Sequence, residues 1–385
     1  MILSLAFSFL FLILGVAFWW ILDTRQRKLL PPGPRGLPIF GSLLNLGSLP
    51  HRTFHELSKK YGPIMSLRMG SVPAIVVSSP EAAQLFLKTH DSVFAVRPQM
   101  EAVAHMSYGN NGISFTNGTY WRHVRKFVVQ ELLAPAKVNS FQGMRREEVG
   151  LVVEEIKKAA TAGEVVNVSA KVGDMIENMT FRFLLGRSKD DRFDLKGIMT
   201  DAFTLAGQFN LADFVPAIKP LDLQGLTRRY KEQSKKLDAM LELIIDEHEQ
   251  NLNTGNNRDI VDEMISLSRN NSSVNHQELA KLIDRASIKS ILIDIITASI
   301  DTSFTSIEWI LTELMRHPTA MKKCQEELTS IVGLDRMVDE TDLPKLEYLY
   351  MVVKEANDLD MTEQFGLTIP RIEHLLLVPK IRISA

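Results

Sequence analysis

Cysteine is almost missing from this 385-residue chain, where Cys324 stands alone. That excludes an intrachain disulfide framework and a zinc site built from several thiolates. It also suits a reducing compartment. A surplus of charge of one sign is missing too: 44 Lys and Arg face 46 Asp and Glu, a formal net charge of −2. Nothing electrostatic therefore points to nucleic acid or to a strongly acidic partner. No internal repeat is visible. What is present is ordinary for a folded protein with a sizeable core, 45% hydrophobic and 23% charged residues. The length suits two average domains or one large one.

Charge is also absent from residues 2–22, ILSLAFSFLFLILGVAFWWIL. A helix of that length spans about 31 Å, enough to cross a bilayer. Trp19 and Trp20 stand where an interfacial aromatic belt is expected, and Arg25, Arg27 and Lys28 follow at once. The positive-inside rule then places the body in the cytosol. The rival is a cleaved signal peptide ending near Gly15-Val16-Ala17, which lacks a basic stretch before the apolar run. A cleaved, luminal protein would use the glycosylation sequon Asn117-Gly118-Thr119; a cytosolic body would leave it bare. Residues 23–41 then form a basic stop-transfer and a Pro-rich hinge, PPGPRGLPIFG over 31–41. Such a stretch excludes helix and central strand and reads as a linker or semi-rigid spacer.

Residues 51–62 have helical spacing and a Gly stop. Residues 63–79 read as two strands around Gly-Ser-Val-Pro. Ser79-Pro80 is a strong helix start. Beyond residue 120 the pattern is mainly helical, with segments 119–133, 144–161, 172–186, 225–251 and 276–317. The expected fold is mainly α with a small β-sheet.

The segment 276–317 predicts one helix of roughly 60 Å. Its centre, 289–300, reads as apolar apart from Ser290 and Asp294, so it should run through the core. In its middle stands Ala298-Ser299-Ile300-Asp301-Thr302. Small residues leave room for a ligand against the backbone. The Thr302 hydroxyl can reach the carbonyl of Ala298, four residues back. With the neighbouring acid Asp301 it can deliver protons to a bound group. The plainer alternative is an acid and a hydroxyl facing a wet groove. Trp121 and Arg125 share a helix face at i, i+4 and can both donate to an anion. A surface cation–π pair explains them equally well. Arg97, in FAVRP, is a further donor that means little by itself.

Taken in order, these pieces resemble the membrane-bound cytochrome P-450 family, in particular its plant microsomal branch. The resemblance rests on the apolar anchor, PPGPRGLPIFG, FAVRP at 94–98, W-x-x-x-R at 121–125 and ASIDTS at 298–303. It continues through EWILTELMRHPTAMKKCQEEL at 308–328, DETDLPKLEYLYMVVKE at 339–355 and the tail at 357–382. It implies a haem monooxygenase over residues 42–385, hydroxylating a small lipophilic plant metabolite with oxygen. NADPH electrons would arrive through a partner reductase at the endoplasmic reticulum membrane. By resemblance, Arg97, Trp121 and Arg125 hold the haem propionates, Ala298 lies near the haem, and Asp301 and Thr302 relay protons. Thr297, Phe365 and Leu367, with the loop 99–118 and residues near 203–214, shape the substrate pocket.

The resemblance breaks after Glu355, where the family's Glu-x-x-Arg ends here in Asp358. The cysteine-bearing loop expected next is not found between 355 and 357. The alternative function is thus an inactive, membrane-anchored remnant. Cys324, in the charged helix MKKCQEEL, is read as an inert helix residue rather than a substitute iron ligand. Loss of the loop predicts open apolar surface over 289–304.

Overall fold

A computed structural model describes residues 29–109, 111–187, 195–251, 258–269, 282–354 and 375–379. The protein is mainly helical with small two-stranded sheets. It divides into two compact units: Met1–Glu101 with Phe209–Tyr230, and Ala102–Gln208 with Lys231–Ala385. The expected anchor at 2–22 and the tail residues Glu355, Asp358, Phe365 and Leu367 lie outside the described residues.

In the first unit, α1 (Pro50–Tyr61) starts with Pro at its first position and stops at Gly62. Strands β1 (Ile64–Met69) and β2 (Val72–Val77) pair antiparallel, Met69 opposite Val72. Gly70 turns the hairpin at φ +62, a region that suits glycine. The Pro-rich stretch is tied to this hairpin. Ser66 N–H donates to the Pro32 carbonyl at 2.9 Å, its hydroxyl to the Pro31 carbonyl at 2.6 Å, and Ser42 N–H to the Arg68 carbonyl at 2.6 Å. Helix α2 (Pro80–Gln84) is capped by the Ser79 hydroxyl, which accepts from Ala82 N–H, as its Ser-Pro start predicts.

The second unit holds α3 (Gly118–Phe127), α4 (Gln142–Ala162), the short strand β3 (Val166–Asn167), α5 (Val168–Leu185) and α6 (Leu195–Ala206). Most of α7 (Leu226–Gln250) follows, then α8 (Ile260–Arg269), α9 (Arg285–Arg316), α10 (Pro318–Ile331) and α11 (Glu347–Lys354). Strand β4 (Leu376–Leu377) pairs antiparallel with β3. Leu375 joins Val166, Val168 and Val172 in a small buried cluster, and its N–H donates to the Ser169 hydroxyl at 2.7 Å.

The axis of this unit is α9, packed against α5. Ile291, Leu292 and Ile296 are buried on it; each such side chain stabilises the fold by about 1.5–3 kcal/mol through burial. The helix is shorter than its periodicity predicts. Asp284 has extended backbone angles and accepts from Ser287 N–H at 2.8 Å, so a cap, rather than another turn, satisfies the first donors. Its 32 residues run for about 48 Å. Two further corrections concern its centre. Lys289 is 5% exposed, so this core stretch carries a charge. Its ammonium donates to Asp238 at 2.6 Å and to Glu242, both on α7. Nor is the large apolar surface left open: at 298, 302 and 306 the exposed residues are Ala, Thr and Ser.

Among the described residues, α9 alone is apolar and long enough to cross a membrane by length and composition, and 33% of that window is buried within the chain. It packs on α5 within the second unit.

Candidate functional site

An apolar pocket of about 490 Å³ opens along α9 in the second unit, within the range of small-molecule sites. Ile295, Ala298, Ser299 and Ser303 form one wall. Met179, Thr180 and Phe183 of α5 face them, and Ile113, Ser114 and Val128 complete the rim. The exposed lining surface is mainly apolar; Asp294 is its one carboxylate and Arg145, paired with Glu340, its one cation. Burial pushes the Asp294 carboxyl above its ordinary value, against the pull of the N–H groups of Ile113 and Ser114.

Of the residues singled out on α9, Ala298 lines the pocket, whereas Thr297, Asp301 and Thr302 are not among its lining residues. Thr302 is exposed, and its hydroxyl donates to the Ala298 carbonyl at 2.5 Å. Ala298 is exposed beside the pocket, and Asp301 next to them is half-buried. Thr297 points its hydroxyl to the Ile293 carbonyl at 2.6 Å instead. A back-bonded hydroxyl keeps its oxygen free to accept from a ligand while its hydrogen is held by the helix.

Trp121 and Arg125 share a face of α3, with the guanidinium 5.2 Å from the ring centroid. The indole N–H already donates to the Ile113 carbonyl at 3.0 Å. The expected pair of anion donors is therefore one donor, the exposed guanidinium of Arg125, resting on a ring whose N–H fixes a neighbouring loop. Arg97 lies in the first unit, exposed in a stretch without helix or strand. Phe365 and Leu367 fall outside the described residues.

Sequence reasoning covered Ile113 and Ser114 only within the loop 99–118 and missed the α5 residues Met179 and Phe183. Residue type marks the loop 99–118 only as a whole, and α5 reads as an ordinary amphipathic helix. No local signal separates a pocket-facing Phe from a core one.

The sequence profile of the cytochrome P450 family matches residues 31–356. The chain belongs to the cytochrome P450 family. It is 65% identical over 358 residues to cytochrome P450 CYP736A12 of Panax ginseng, a match that covers 91% of this chain and 71% of that relative. It is 36% identical over 374 residues to cytochrome P450 71A2 of Solanum melongena, covering 95% and 72%. A similar level, 36% over 360 residues, covering 91% and 68%, relates it to the flavonoid 3'-monooxygenase CYP75B137 of Crocosmia x crocosmiiflora. These are haem monooxygenases by family.

Against that chemistry the donor set of this P450 chain fits in part. An apolar wall with small residues at 298 and 299 suits a flat hydrophobic group, and Arg125 suits a carboxylate. The thiol does not fit. Cys324 is 3% exposed within α10 and is not among the residues lining the pocket. Burial, then the charge of Glu327, pushes its thiol above the ordinary value, which disfavours the thiolate that binds metal. The helix that carries it is structural. Its Glu327 carboxylate accepts from Tyr348 N–H at 2.7 Å and from Leu349 N–H at 2.9 Å, capping α11.

Proposed function

We propose that the chain descends from, and carries the binding parts of, a monooxygenase that oxidises a small lipophilic plant metabolite with oxygen and NADPH electrons. The electrons would pass through a partner reductase. The single observation that supports this is Ala298, a small exposed residue of α9 that lines an apolar pocket, with Thr302 exposed one turn further on. Haem, when bound in such a site, supplies the iron that activates oxygen. This chain's own residues would bind and orient. Arg125 and, by the family resemblance, Arg97 would hold the propionates. Trp121 would brace the rim. Asp301 and the Thr302 hydroxyl would hold and move a proton at the ligand face. Ala298, Thr297, Phe365 and Leu367 would bound the substrate space. The mainly apolar lining surface favours lipophilic substrates, and the flavonoid 3'-monooxygenase relative makes plant phenolics a first class to try. We further infer an anchor at 2–22, a basic and Pro-rich linker at 23–41 and a cytosolic catalytic body on the endoplasmic reticulum membrane.

A second reading turns on the placement of Cys324. Its thiol is neutral and enclosed in a capping helix. By the family resemblance, the cysteine-bearing loop expected after Glu355 would hold the iron ligand instead. On that reading this form is a membrane-anchored remnant that binds lipophilic molecules without turnover. Titration of the purified chain with haem, then reduction under carbon monoxide, separates the two. A thiolate-type Soret band that is lost in Cys324→Ala supports the monooxygenase. No haem uptake, or a band indifferent to Cys324→Ala, supports the remnant.

A further inference from the structure

Three polar residues on α9, Ser287, Ser290 and Asp294, recur at i, i+3 and i+7, so they share one face of the helix. All three hold the chain that leads into the pocket rim. The Ser290 hydroxyl donates to the Ser107 carbonyl at 3.1 Å. The Tyr120 hydroxyl lies 3.1 Å from that of Ser287 and donates to the Asn111 carbonyl at 2.6 Å. The Asp294 Oδ2 accepts two successive backbone N–H groups, Ile113 at 2.5 Å and Ser114 at 3.1 Å. Gly112 comes so close that a Cβ there would stand 2.1 Å from the Asp294 Oδ2 and 2.8 Å from the Ser290 Oγ. A side chain at 112 would force the Asp294 carboxylate to move. Ile113 is thus gripped at both ends, its N–H by Asp294 and its carbonyl by the Trp121 indole. Ile113, Ser114 and Asp294 all line the pocket.

We propose that Asp294 is a positioning residue that sets the shape of the ligand pocket by clamping Gly112–Ser114 against α9, with Gly112 as the position that permits the approach. The proposal deepens the reading above and rests on it, because it needs the pocket to be a ligand site. Two N–H donors on one carboxylate oxygen make a charge-assisted contact, about twice as strong as a neutral one. Glycine at 112 lets the backbone come within its reach without displacing the carboxylate. A clamp of this kind selects ligands by shape: release of the loop moves Ile113 and Ser114 from the rim and relaxes discrimination by size.

The test uses the full chain and needs no haem. Hydrogen exchange reports the Gly112–Ser114 backbone. Equilibrium binding of two lipophilic dyes, anilinonaphthalene sulfonate and its bulkier dimer bis-ANS, reports the pocket. The variants are Asp294→Ala, Asp294→Asn and Gly112→Ala. Ile265→Ala, a core change on α8 outside the pocket lining, controls for lost stability. Asp294→Ala should speed exchange at 112–114 by about tenfold or more, as for a lost hydrogen bond to a charged group, and shift the ratio of the two dye affinities severalfold. Gly112→Ala should copy it, and Asp294→Asn should fall between, because one amide oxygen still accepts. Ile265→Ala should leave both readouts at the wild-type value. Should Asp294→Ala not fold, Gly112→Ala and Asp294→Asn decide. Unchanged exchange in the variants overturns the clamp itself. Faster exchange with an unchanged dye ratio, or an equal shift in Ile265→Ala, overturns the positioning role. A wild-type chain that binds neither dye overturns the pocket reading and the positioning role with it, even if exchange shows the clamp.

Discussion

From Ser287 to Leu292 every residue of α9 is buried, whereas between Ala298 and Ser306 every fourth residue is exposed. Both stretches belong to one helix and both carry small hydroxyl residues. What differs is what arrives from elsewhere in the fold. The first stretch meets the acids of α7 and the Ser107–Ser114 chain, and its polar groups are all answered: Lys289 by Asp238 and Glu242, Ser290 by Ser107. The second keeps its large side chains half-buried or better and opens only at Ala298, Thr302 and Ser306. Exposing small side chains forfeits little hydrophobic stabilisation. A core helix can therefore leave a ligand face uncovered at small cost, provided that this face is built from small residues.

The contrast can be broken most forcefully in the covered stretch. Leu292→Ala, at a fully buried site, should cost about 3 kcal/mol in chemical denaturation. A loss comparable to that of an exposed site would mean the stretch is not packed. Next comes Lys289→Ala. Its ammonium bonds hold Asp238 and Glu242 below the usual carboxylate range, and both carboxylates are partly exposed. The loss should be about 2 kcal/mol and should shrink in high salt.

A smaller effect tests α7, which supplies those acids. Burial pushes the His248 ring down, yet its bonds to Asp259, at 3.1 Å, and to the Ile244 carbonyl, at 2.7 Å, leave it raised overall. A raised imidazole binds its proton more tightly in the folded state. Its contribution is therefore full below the ordinary imidazole value and disappears as pH rises through the raised one. Stability should fall across that window in the wild-type chain and change less in His248→Gln, followed by denaturation at a series of pH values. The smallest effect belongs to the open stretch. Thr302→Val should change stability by less than about 0.5 kcal/mol, as expected of an exposed site. It should still alter ligand binding at Ala298 and Thr302 in a dye titration. A large stability loss would show that this face is structural after all.

Much of this is legible in local spacing. Ser79-Pro80, the Gly70 hairpin and the Thr302 back-bond to Ala298 each depend on residues no more than a few positions apart, and each forms as its spacing predicts. The Trp121–Arg125 pair is legible as a pair but not in its role, because the partner of the indole, the Ile113 carbonyl, is chosen by how a loop folds back. Lys289 is hidden in an apolar run, since its two acids stand on α7, about fifty positions earlier. Ser290 and Asp294 show as polar breaks in the helix, but their common role appears only once Ser107 and Gly112–Ser114 lie across them.

The sequence by itself determined the family, the helical character and the order of the motifs, since these depend on residue type and short-range spacing along one chain. Only the tertiary structure decided which face of α9 stays open, that Cys324 is enclosed beside the α11 cap, and that Asp294 grips a loop. Burial, and the hydrogen bonds made under it, depend on residues that meet from distant places in the chain, and no local pattern encodes those meetings.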